Sequence, residues 1–391
     1  GIYYGILKWA YRLNQSNLLS DEEKYRILRE ILPGIDWDQE PEADEEKDYL
    51  QELAIEIGNV KNNCMDIEEY EPVKYTTEKF RKLYRTYEET KKKYRKIDFE
   101  DMLIQCRDLF MKRPDILKKW QEKFQYILVD EFQDISRERA GLLKALLAQR
   151  NDTVLFAVGD DWQAIYRFTG SDIGLTRHFE AEFGPAAISS LNTTFRFNNK
   201  IGDVASGFVL QNPEQIKKTI DSVTTMTQPA ISLIRSASSE QGLHQALRTL
   251  SLLPDLQIKQ KSSVVVLARF SFLLSDFVSV QSRKQLAQLY PCFDIDFMTV
   301  HASKGKEADY VIVLGMNRGK YGFPSQIAIE PIIESLLPEP ETFPDAEERR
   351  LFYVALTRAR DHVYLIYDPR EASDFVVELL TPGSYPVITE P

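Results

Sequence analysis

The chain has 391 residues, of which 43% are hydrophobic and 28% charged, and its formal net charge is −11. This length predicts two or three globular domains. No apolar run approaches the roughly 20 residues that cross a bilayer, so a cytoplasmic protein without membrane contact is the default expectation. The acidic balance argues against a protein that binds nucleic acid through overall positive charge. Scattered cysteines and histidines predict neither a disulfide framework nor a zinc site.

The first 96 residues are polar and have helical patterns. Ser20 to Glu23 has the composition of a helix N-cap followed by acidic residues in the first turn, and Pro33-Gly34 ends that helix. Further helices are predicted over residues 76–94 and 98–111.

Charge is unevenly distributed over this helical region. Residues 36–48 form an acidic patch, whereas Lys79 to Lys96 carries nine basic residues interleaved with tyrosines. A solvated helical face is the commoner explanation for such a basic run, and nucleic-acid contact is the alternative.

From residue 126 onward, short β-branched runs alternate with helical patterns. This alternation is typical of parallel sheets covered by helices on both faces. The segment 185–190 has little regular pattern and is the predicted hinge between a first and a second sheet. The predicted strands are 126–129, 153–158, 264–268, 295–300, 310–314 and 363–366.

Polar and charged clusters lie close to the ends of these strands. Open α/β sheets bind ligands at the carboxyl ends of their strands, so these clusters are the candidate site. The most informative one, Asp130-Glu131-Phe-Gln-Asp134, directly follows the first strand, where nucleotide enzymes place a magnesium ligand. The other four are residues 159–168, 191–197, 298–307 and 347–360.

In order and content, the five clusters resemble helicase motifs II to VI of the UvrD/Rep type in superfamily 1. The resemblance extends from about Asp98 to Asp368, and the last three clusters are most similar to the helicase IV group. It implies an α/β fold with two RecA-like parallel-sheet lobes, the first incomplete, and a helical insertion at the N-terminus. It also implies a 3′-to-5′ DNA helicase that uses ATP and Mg²⁺.

The resemblance assigns the nucleotide chemistry residue by residue. Asp130, with Glu131 beside it, would hold Mg²⁺, and Glu131 would activate the attacking water. Gln163 would sense the γ-phosphate, while Arg196 and Arg358 would contact it; a planar, permanently charged guanidinium suits that duty. For each arginine the alternative is a structural ion pair.

The remaining matched residues concern the nucleoside and the DNA. Phe195 would stack on adenine, and Glu307 would bind the ribose hydroxyls. Tyr166 and Phe168 would stack on the bases of single-stranded DNA or of a single-strand/duplex junction, because unpaired bases stack on aromatic rings with little regard to sequence. Thr299 and His301 match a loop that touches the DNA backbone, and a histidine without a ligand is the alternative for His301. Thr169 stands where relatives have an arginine.

The phosphate loop G-x-x-x-x-G-K-[ST] is absent from the chain. In the family this loop precedes the helical insertion, and residue 1 is glycine, so we expect a truncated chain that lacks about a hundred residues. Alone, it is expected to hydrolyse ATP slowly or not at all.

The resemblance predicts three regions. Residues 1–96 form a helical 1B-like subdomain, residues 97–189 the remainder of lobe 1A with motifs II and III, and residues 190–391 lobe 2A with motifs IV to VI. The spacing between Arg196 and Thr299 leaves no room for a large 2B insertion. An alternative function is that of a helicase-like subunit or adaptor, working with nuclease or repair partner proteins and not unwinding DNA by itself.

Overall fold

A computed structural model describes residues 2–35, 46–62, 65–72, 75–148, 152–253, 261–327, 334 and 337–390. The chain divides into two compact units. The first comprises Gly1–Asp160, Tyr166–Ala186 and Ile329–Pro340, and the second Asp161–Ile165, Ala187–Ala328 and Glu341–Pro391. No helix among the described residues is long and apolar enough to cross a membrane.

Two features of the sequence fall wholly or largely outside the described residues. They are Cys64 and residues 36–45 of the acidic patch. The passage from the first unit to the second between Ala186 and Ala187 lies in the segment where the sequence predicts a hinge. The division into 1B, 1A and 2A regions stays a prediction, since both of the first two regions lie in the first unit.

The first unit is largely helical, with one pair of parallel strands in its described part. The predicted helices over 76–94 and 98–111 and the strands over 126–129 and 153–158 are confirmed to within one residue at each end. Its elements are α1 (Ile2–Tyr11), α2 (Asp21–Ile31), α3 (Glu46–Asn62), α4 (Thr77–Lys93), α5 (Phe99–Lys112), α6 (Pro114–Gln121), β1 (Tyr126–Val129), α7 (Arg137–Leu147), β2 (Val154–Ala157), α8 (Gly174–Arg177) and α9 (Phe179–Phe183).

Two of these helices begin with a reciprocal capping box. The Ser20 side chain accepts a hydrogen bond from the Glu23 backbone, and the Glu23 carboxylate accepts one from the Ser20 backbone. Asp98 and Asp101 make the same exchange at the start of α5. Each box satisfies two backbone donors that the helix itself leaves unpaired. The N-terminus predicted at Ser20 is therefore confirmed.

Strands β1 and β2 pair in parallel, with Tyr126 opposite Val154. Ile127 is buried, but Leu128 is 72% exposed and Phe156 is also exposed. The prediction that β1 is buried on both faces is therefore wrong: its side chains alternate, and only one face packs against the core of the unit.

Five charged side chains form a buried cluster where α3, α4 and the start of α5 meet. The Lys61 ammonium lies 2.9 Å from Glu88 and 2.6 Å from Asp98, and the Lys91 ammonium lies 2.6 Å from both Asp98 and Asp101. Burial alone would lower the pKa of Lys61, but the three carboxylates outweigh it and raise that pKa. Burial would likewise raise the pKa of Asp98, yet the two ammonium groups hold it well below its usual range. The cluster joins the three helices through charge-assisted hydrogen bonds.

The second unit contains the larger sheet. Its described elements are β3 (Thr193–Thr194), α10 (Asn199–Val209), β4 (Asp221–Ser222), β5 (Ile231–Arg235), α11 (Ser239–Ser251), β6 (Ser262–Ala268), α12 (Ser275–Val278), α13 (Val280–Leu289), β7 (Phe293–Thr299), β8 (Ala308–Leu314), α14 (Ala346–Leu356), β9 (Ala359–Tyr367), α15 (Asp374–Leu380) and β10 (Ile388–Glu390).

Six parallel strands form this sheet, in the order β10-β5-β9-β8-β6-β7. The four strands predicted after residue 260 are confirmed, although most are longer than predicted. Residues of β6, β8 and β9 are almost wholly buried and pack against α11, as expected for a parallel sheet covered by helices. Because all six strands run in one direction, their carboxyl ends lie along one edge, which includes the loops after Ala268, Thr299 and Leu314.

Candidate functional site

Asp130 and Glu131 lie exposed at the carboxyl end of β1. The Glu131 backbone N–H donates to Asp130 Oδ1 at 2.9 Å. Glu131 has φ +49°, a left-handed conformation that is uncommon for a residue with a Cβ. This strained turn places the two carboxylates side by side at the end of the strand.

Gln133 fixes the orientation of Glu131. Its amide Nε2 donates to Glu131 Oε2 at 2.5 Å, and its Oε1 accepts the backbone N–H of Asp160 at 2.9 Å. Gln133 is fully buried and joins the loop after β1 to the loop after β2. A Cβ at Gly159 would lie 2.8 Å from Gln133 Oε1 and 3.1 Å from its backbone nitrogen, so only glycine fits this contact. Gln133 was not assigned a role from the sequence, although it stands two residues after Glu131.

A groove of about 820 Å³ borders these carboxylates within the first unit. Its walls are mainly apolar and include Trp9 and Trp120 as well as the exposed side of β1. Asp130 and Glu131 are among the residues that line this groove, so charged and apolar surfaces adjoin at the carboxyl end of β1.

The two predicted stacking residues, Tyr166 and Phe168, are neighbours in the first unit. Their ring centroids are 6.0 Å apart, with the planes tilted by 56°. Burial raises the pKa of the Tyr166 phenol, and the negative charges of Asp134 and Glu131 raise it further. The stacking pair therefore lies close to the acidic end of β1.

The segment Asp161–Ile165, which holds the predicted sensor Gln163, belongs to the second unit. Trp162 is wholly buried, donates from Nε1 to the Ile216 carbonyl at 3.0 Å and meets the Tyr353 ring edge-on. The Asp161 carboxylate accepts the Ile216 backbone N–H at 2.8 Å. Two side chains, those of Asp161 and Trp162, thus hold the segment in place.

Two cations hold the backbone around Gln163. Lys304 donates to the Gln163 carbonyl at 2.9 Å, and the buried Arg350 donates from Nε to the Ala164 carbonyl at 2.6 Å. Arg350 lies on α14 and also pairs with Glu341 at 2.5 Å. Neither cation was assigned a role from the sequence. The available signal for Arg350 was its position directly before the apolar residues 351–356, because a buried guanidinium needs carbonyl or carboxylate partners.

Arg196, Glu307 and Arg360 form a charged group in the second unit. The Arg196 guanidinium is 3.8 Å from Glu307, and Arg360 donates a short hydrogen bond to the same carboxylate. Phe195, the predicted adenine-stacking residue, is 81% exposed. The structure therefore places Arg196 beside Glu307 and adds Arg360, which was not selected from the sequence, while the contacts of Arg196 and Glu307 with ATP stay predictions.

Arg358 differs from Arg196 in its surroundings. It is buried, and its guanidinium donates to the Val354 carbonyl at 3.0 Å, the Lys306 carbonyl at 3.2 Å and Thr357 Oγ1 at 3.1 Å. These hydrogen bonds fix the plane of the guanidinium at the end of α14.

Thr299 and His301 lie at the carboxyl end of β7. The Ala302 backbone N–H donates to Thr299 Oγ1 at 3.3 Å. Burial lowers the pKa of His301 to about 3, helped by the positive charge of Arg269 and opposed by a hydrogen bond with the backbone of Ile165. His301 is therefore neutral at physiological pH and tied to the segment that contains Gln163.

Comparison with known proteins gives two family matches. The model of the UvrD/REP helicase N-terminal domain matches residues 5–184, and that of the UvrD-like helicase C-terminal domain matches residues 277–370. DNA helicase IV of Escherichia coli (strain K12) is 43% identical over 295 residues, which are 75% of this chain and 40% of that protein. ATP-dependent DNA helicase PcrA of Bacillus subtilis (strain 168) is 29% identical over 52% of this chain and 27% of its own length.

A third relative matches a similar share of the chain. DNA helicase II of Haemophilus influenzae (strain ATCC 51907 / DSM 11121 / KW20 / Rd) is 27% identical over 52% of this chain and 27% of its own length. The chain thus spans less than half the length of each of these three relatives.

Proposed function

Because this chain belongs to the UvrD/REP helicase family, we propose that it forms part of an ATP-dependent helicase that moves 3′ to 5′ along single-stranded DNA. The observation that carries the proposal is the carboxylate pair Asp130 and Glu131, held by Gln133 at the end of a parallel strand. The three relatives are named as helicases, so the alternative of a subunit that does not unwind DNA is not favoured.

The donor set at the end of β1 fits a magnesium ion. Asp130 and Glu131 offer adjacent, exposed carboxylate oxygens, and Mg²⁺ prefers oxygen ligands while retaining several waters. Mg²⁺ bound there would neutralise charge on the phosphates of ATP. Asp130 would hold the ion, and Glu131 would accept a proton from the water that attacks the γ-phosphorus.

The second unit would supply the positive charge. Arg196 and Arg358 are proposed to contact the γ-phosphate, where charge accumulates during transfer. Glu307 would exchange its ion pair with Arg360 for hydrogen bonds to the ribose hydroxyls, and the exposed Phe195 would stack on the adenine.

DNA would contact the ring pair Tyr166 and Phe168 and the loop that holds Thr299 and His301. The hydrogen bond from Lys304, on that same loop, to Gln163 supports a coupling between nucleotide sensing and DNA contact. ATP binding and hydrolysis would make these two sites bind the DNA in alternation, and this would move one strand past the protein.

Unwinding of tailed duplexes by the full-length gene product tests this function. We expect ATP- and Mg²⁺-dependent displacement of the complementary strand from a duplex with a 3′ single-stranded tail, and little from one with a 5′ tail. A blunt duplex is the matched control. Equal activity on both tails would contradict the proposed 3′-to-5′ direction. The proposed function would be contradicted if the protein showed neither unwinding nor DNA-stimulated ATP hydrolysis.

A further inference from the structure

Three aromatic side chains form an exposed cluster in the second unit: Phe270, Phe272 and Tyr321, here called the ring cluster. Phe270 and Phe272 are stacked with centroids 5.6 Å apart, and Tyr321 meets both rings edge-on at 5.7 and 5.1 Å. Phe272 is 46% exposed and Tyr321 is 49% exposed. Single exposed hydrophobic residues are common on soluble proteins, but contiguous exposed groups of them often mark binding surfaces.

Two loops at the carboxyl edge of the sheet build the ring cluster. Phe270 and Phe272 follow β6, and Tyr321 follows β8, which is the hydrogen-bonded neighbour of β6. The rings therefore lie together because parallel neighbouring strands end at the same edge.

The loop that carries Tyr321 is held in a tight turn. The Gly322 backbone N–H donates to the Gly319 carbonyl at 3.0 Å, and the Phe323 N–H donates to the Asn317 carbonyl at 3.1 Å. A Cβ at Gly322 would lie 2.0 Å from the Asn317 oxygen, so the turn requires glycine. The position of Tyr321 is thus set by the backbone.

The ring cluster adjoins the loop already proposed to contact DNA. Thr299 pairs with Ala268, the last residue of β6, and the Val300 N–H donates to the Ala268 carbonyl at 3.0 Å. Arg269, whose charge lowers the pKa of His301, lies over the Phe270 ring at 4.7 Å. The ring cluster and the loop that holds Thr299 and His301 thus lie along the same edge of the sheet.

Two basic side chains, Arg269 and Lys320, lie over rings of the cluster, and some basic groups nearby are paired with carboxylates. Lys320 lies over the Tyr321 ring at 5.3 Å. Arg269 pairs with Glu348 at 2.8 Å, and Arg318 lies 3.6 Å from Asp374. Cations beside aromatic faces suit a polyanion whose bases stack while its phosphates approach positive charge.

On this geometry we propose that the ring cluster is a second base-stacking platform, on which one or two unpaired nucleobases of single-stranded DNA pack against Phe272 and Tyr321. The proposal rests on the proposed function, because it extends the DNA path beyond Thr299 and His301. Stacking on flat rings is tolerant of base sequence, as a motor that moves along DNA requires. Phe270 contacts the rings of Phe272 and Tyr321 and thereby supports them.

Binding of a labelled oligothymidylate of about 12 nucleotides to this chain tests the platform, with fluorescence anisotropy as the readout. The comparison ligand has the same length and phosphates but abasic sites in place of most bases. We expect the double variant Phe272→Ala/Tyr321→Ala to lose about tenfold in affinity for oligothymidylate, and much less for the abasic strand. Phe272→Trp/Tyr321→Phe should retain binding, because both replacements keep aromatic faces.

Leu289→Ala is the matched control, since Leu289 is a 63% exposed apolar residue on α13, and it should leave the affinity unchanged. If the alanine double variant keeps the full preference for oligothymidylate over the abasic strand, the platform is overturned while the proposed function stands. The same result is expected if the rings instead dock a protein. If the unmodified chain binds neither strand, the proposed function and the platform fall together.

Discussion

Replacing Glu131 with glutamine in the full-length gene product is expected to lower the kcat of DNA-stimulated ATP hydrolysis by at least about a hundredfold. Loss of a positioned general base costs about 10²- to 10⁴-fold. Glutamine has the shape of glutamate but cannot accept the proton of the attacking water. Its amide oxygen can still accept the hydrogen bond from Gln133, so the turn after β1 should persist.

Nucleotide affinity should change by no more than about twofold in this variant, because the proposed role of Glu131 lies in the chemical step. Steady-state turnover and equilibrium titration with a fluorescent ATP analogue measure the two quantities. The same substitution at Glu138, in the first turn of α7, is the control and should leave turnover unchanged. Turnover by the Glu131→Gln protein that equals the unmodified protein would remove Glu131 from its proposed role.

Lys91→Met is expected to destabilise the first unit by about 3–5 kcal/mol, the usual cost of removing one partner from a buried ion pair. The Lys91 ammonium is fully buried and lies within 2.7 Å of Glu88, Asp98 and Asp101. Without it, Lys61 alone would face three carboxylates, of which Asp98 and Asp101 are buried. Urea denaturation, followed by circular dichroism, measures the change in free energy of unfolding.

Two further variants make this prediction specific to the buried cluster. Lys92→Met, the same change at the next and exposed position of α4, should alter stability by less than about 0.5 kcal/mol. Adding Glu88→Leu to Lys91→Met restores the original excess of one carboxylate over the number of ammonium groups. The double variant should therefore recover part of the lost stability. If Lys91→Met and Lys92→Met lower the free energy of unfolding equally, the buried cluster does not stabilise the first unit.

The sequence predicted the elements whose signals are local. The start of α2 at Ser20, the helix from Thr77 and the strand Tyr126–Val129 follow from capping residues and from hydrophobic periodicity. The short strands β3 and β4 and the outer strand β10 were missed, because two or three residues carry no usable pattern. The five-residue strand β5 was missed as well.

The exposure of one face of β1 was also not predicted, and the reason is different. A continuous apolar run such as Tyr126–Val129 predicts a strand that is buried on both faces. Whether both faces are buried depends on which elements pack against the strand, and the run itself does not show this.

The candidate site was predictable in its motifs and not in its supporting contacts. Asp130, Glu131 and Arg196 were selected as candidates because motif order indicates a family, and their roles stay predictions. The contacts from Gln133 to Asp160 and from Arg350 to Ala164 join residues 27 and 186 positions apart, so no local pattern predicts them.

The most direct test of the proposed ATP site is a structure of the full-length gene product with Mg²⁺, a non-hydrolysable ATP analogue and an oligothymidylate. We expect a metal ion beside Asp130, with the terminal phosphate near Glu131 and in hydrogen-bond contact with the guanidinium groups of Arg196 and Arg358. A nucleotide bound elsewhere, or one whose terminal phosphate contacts neither arginine, would contradict the proposed site.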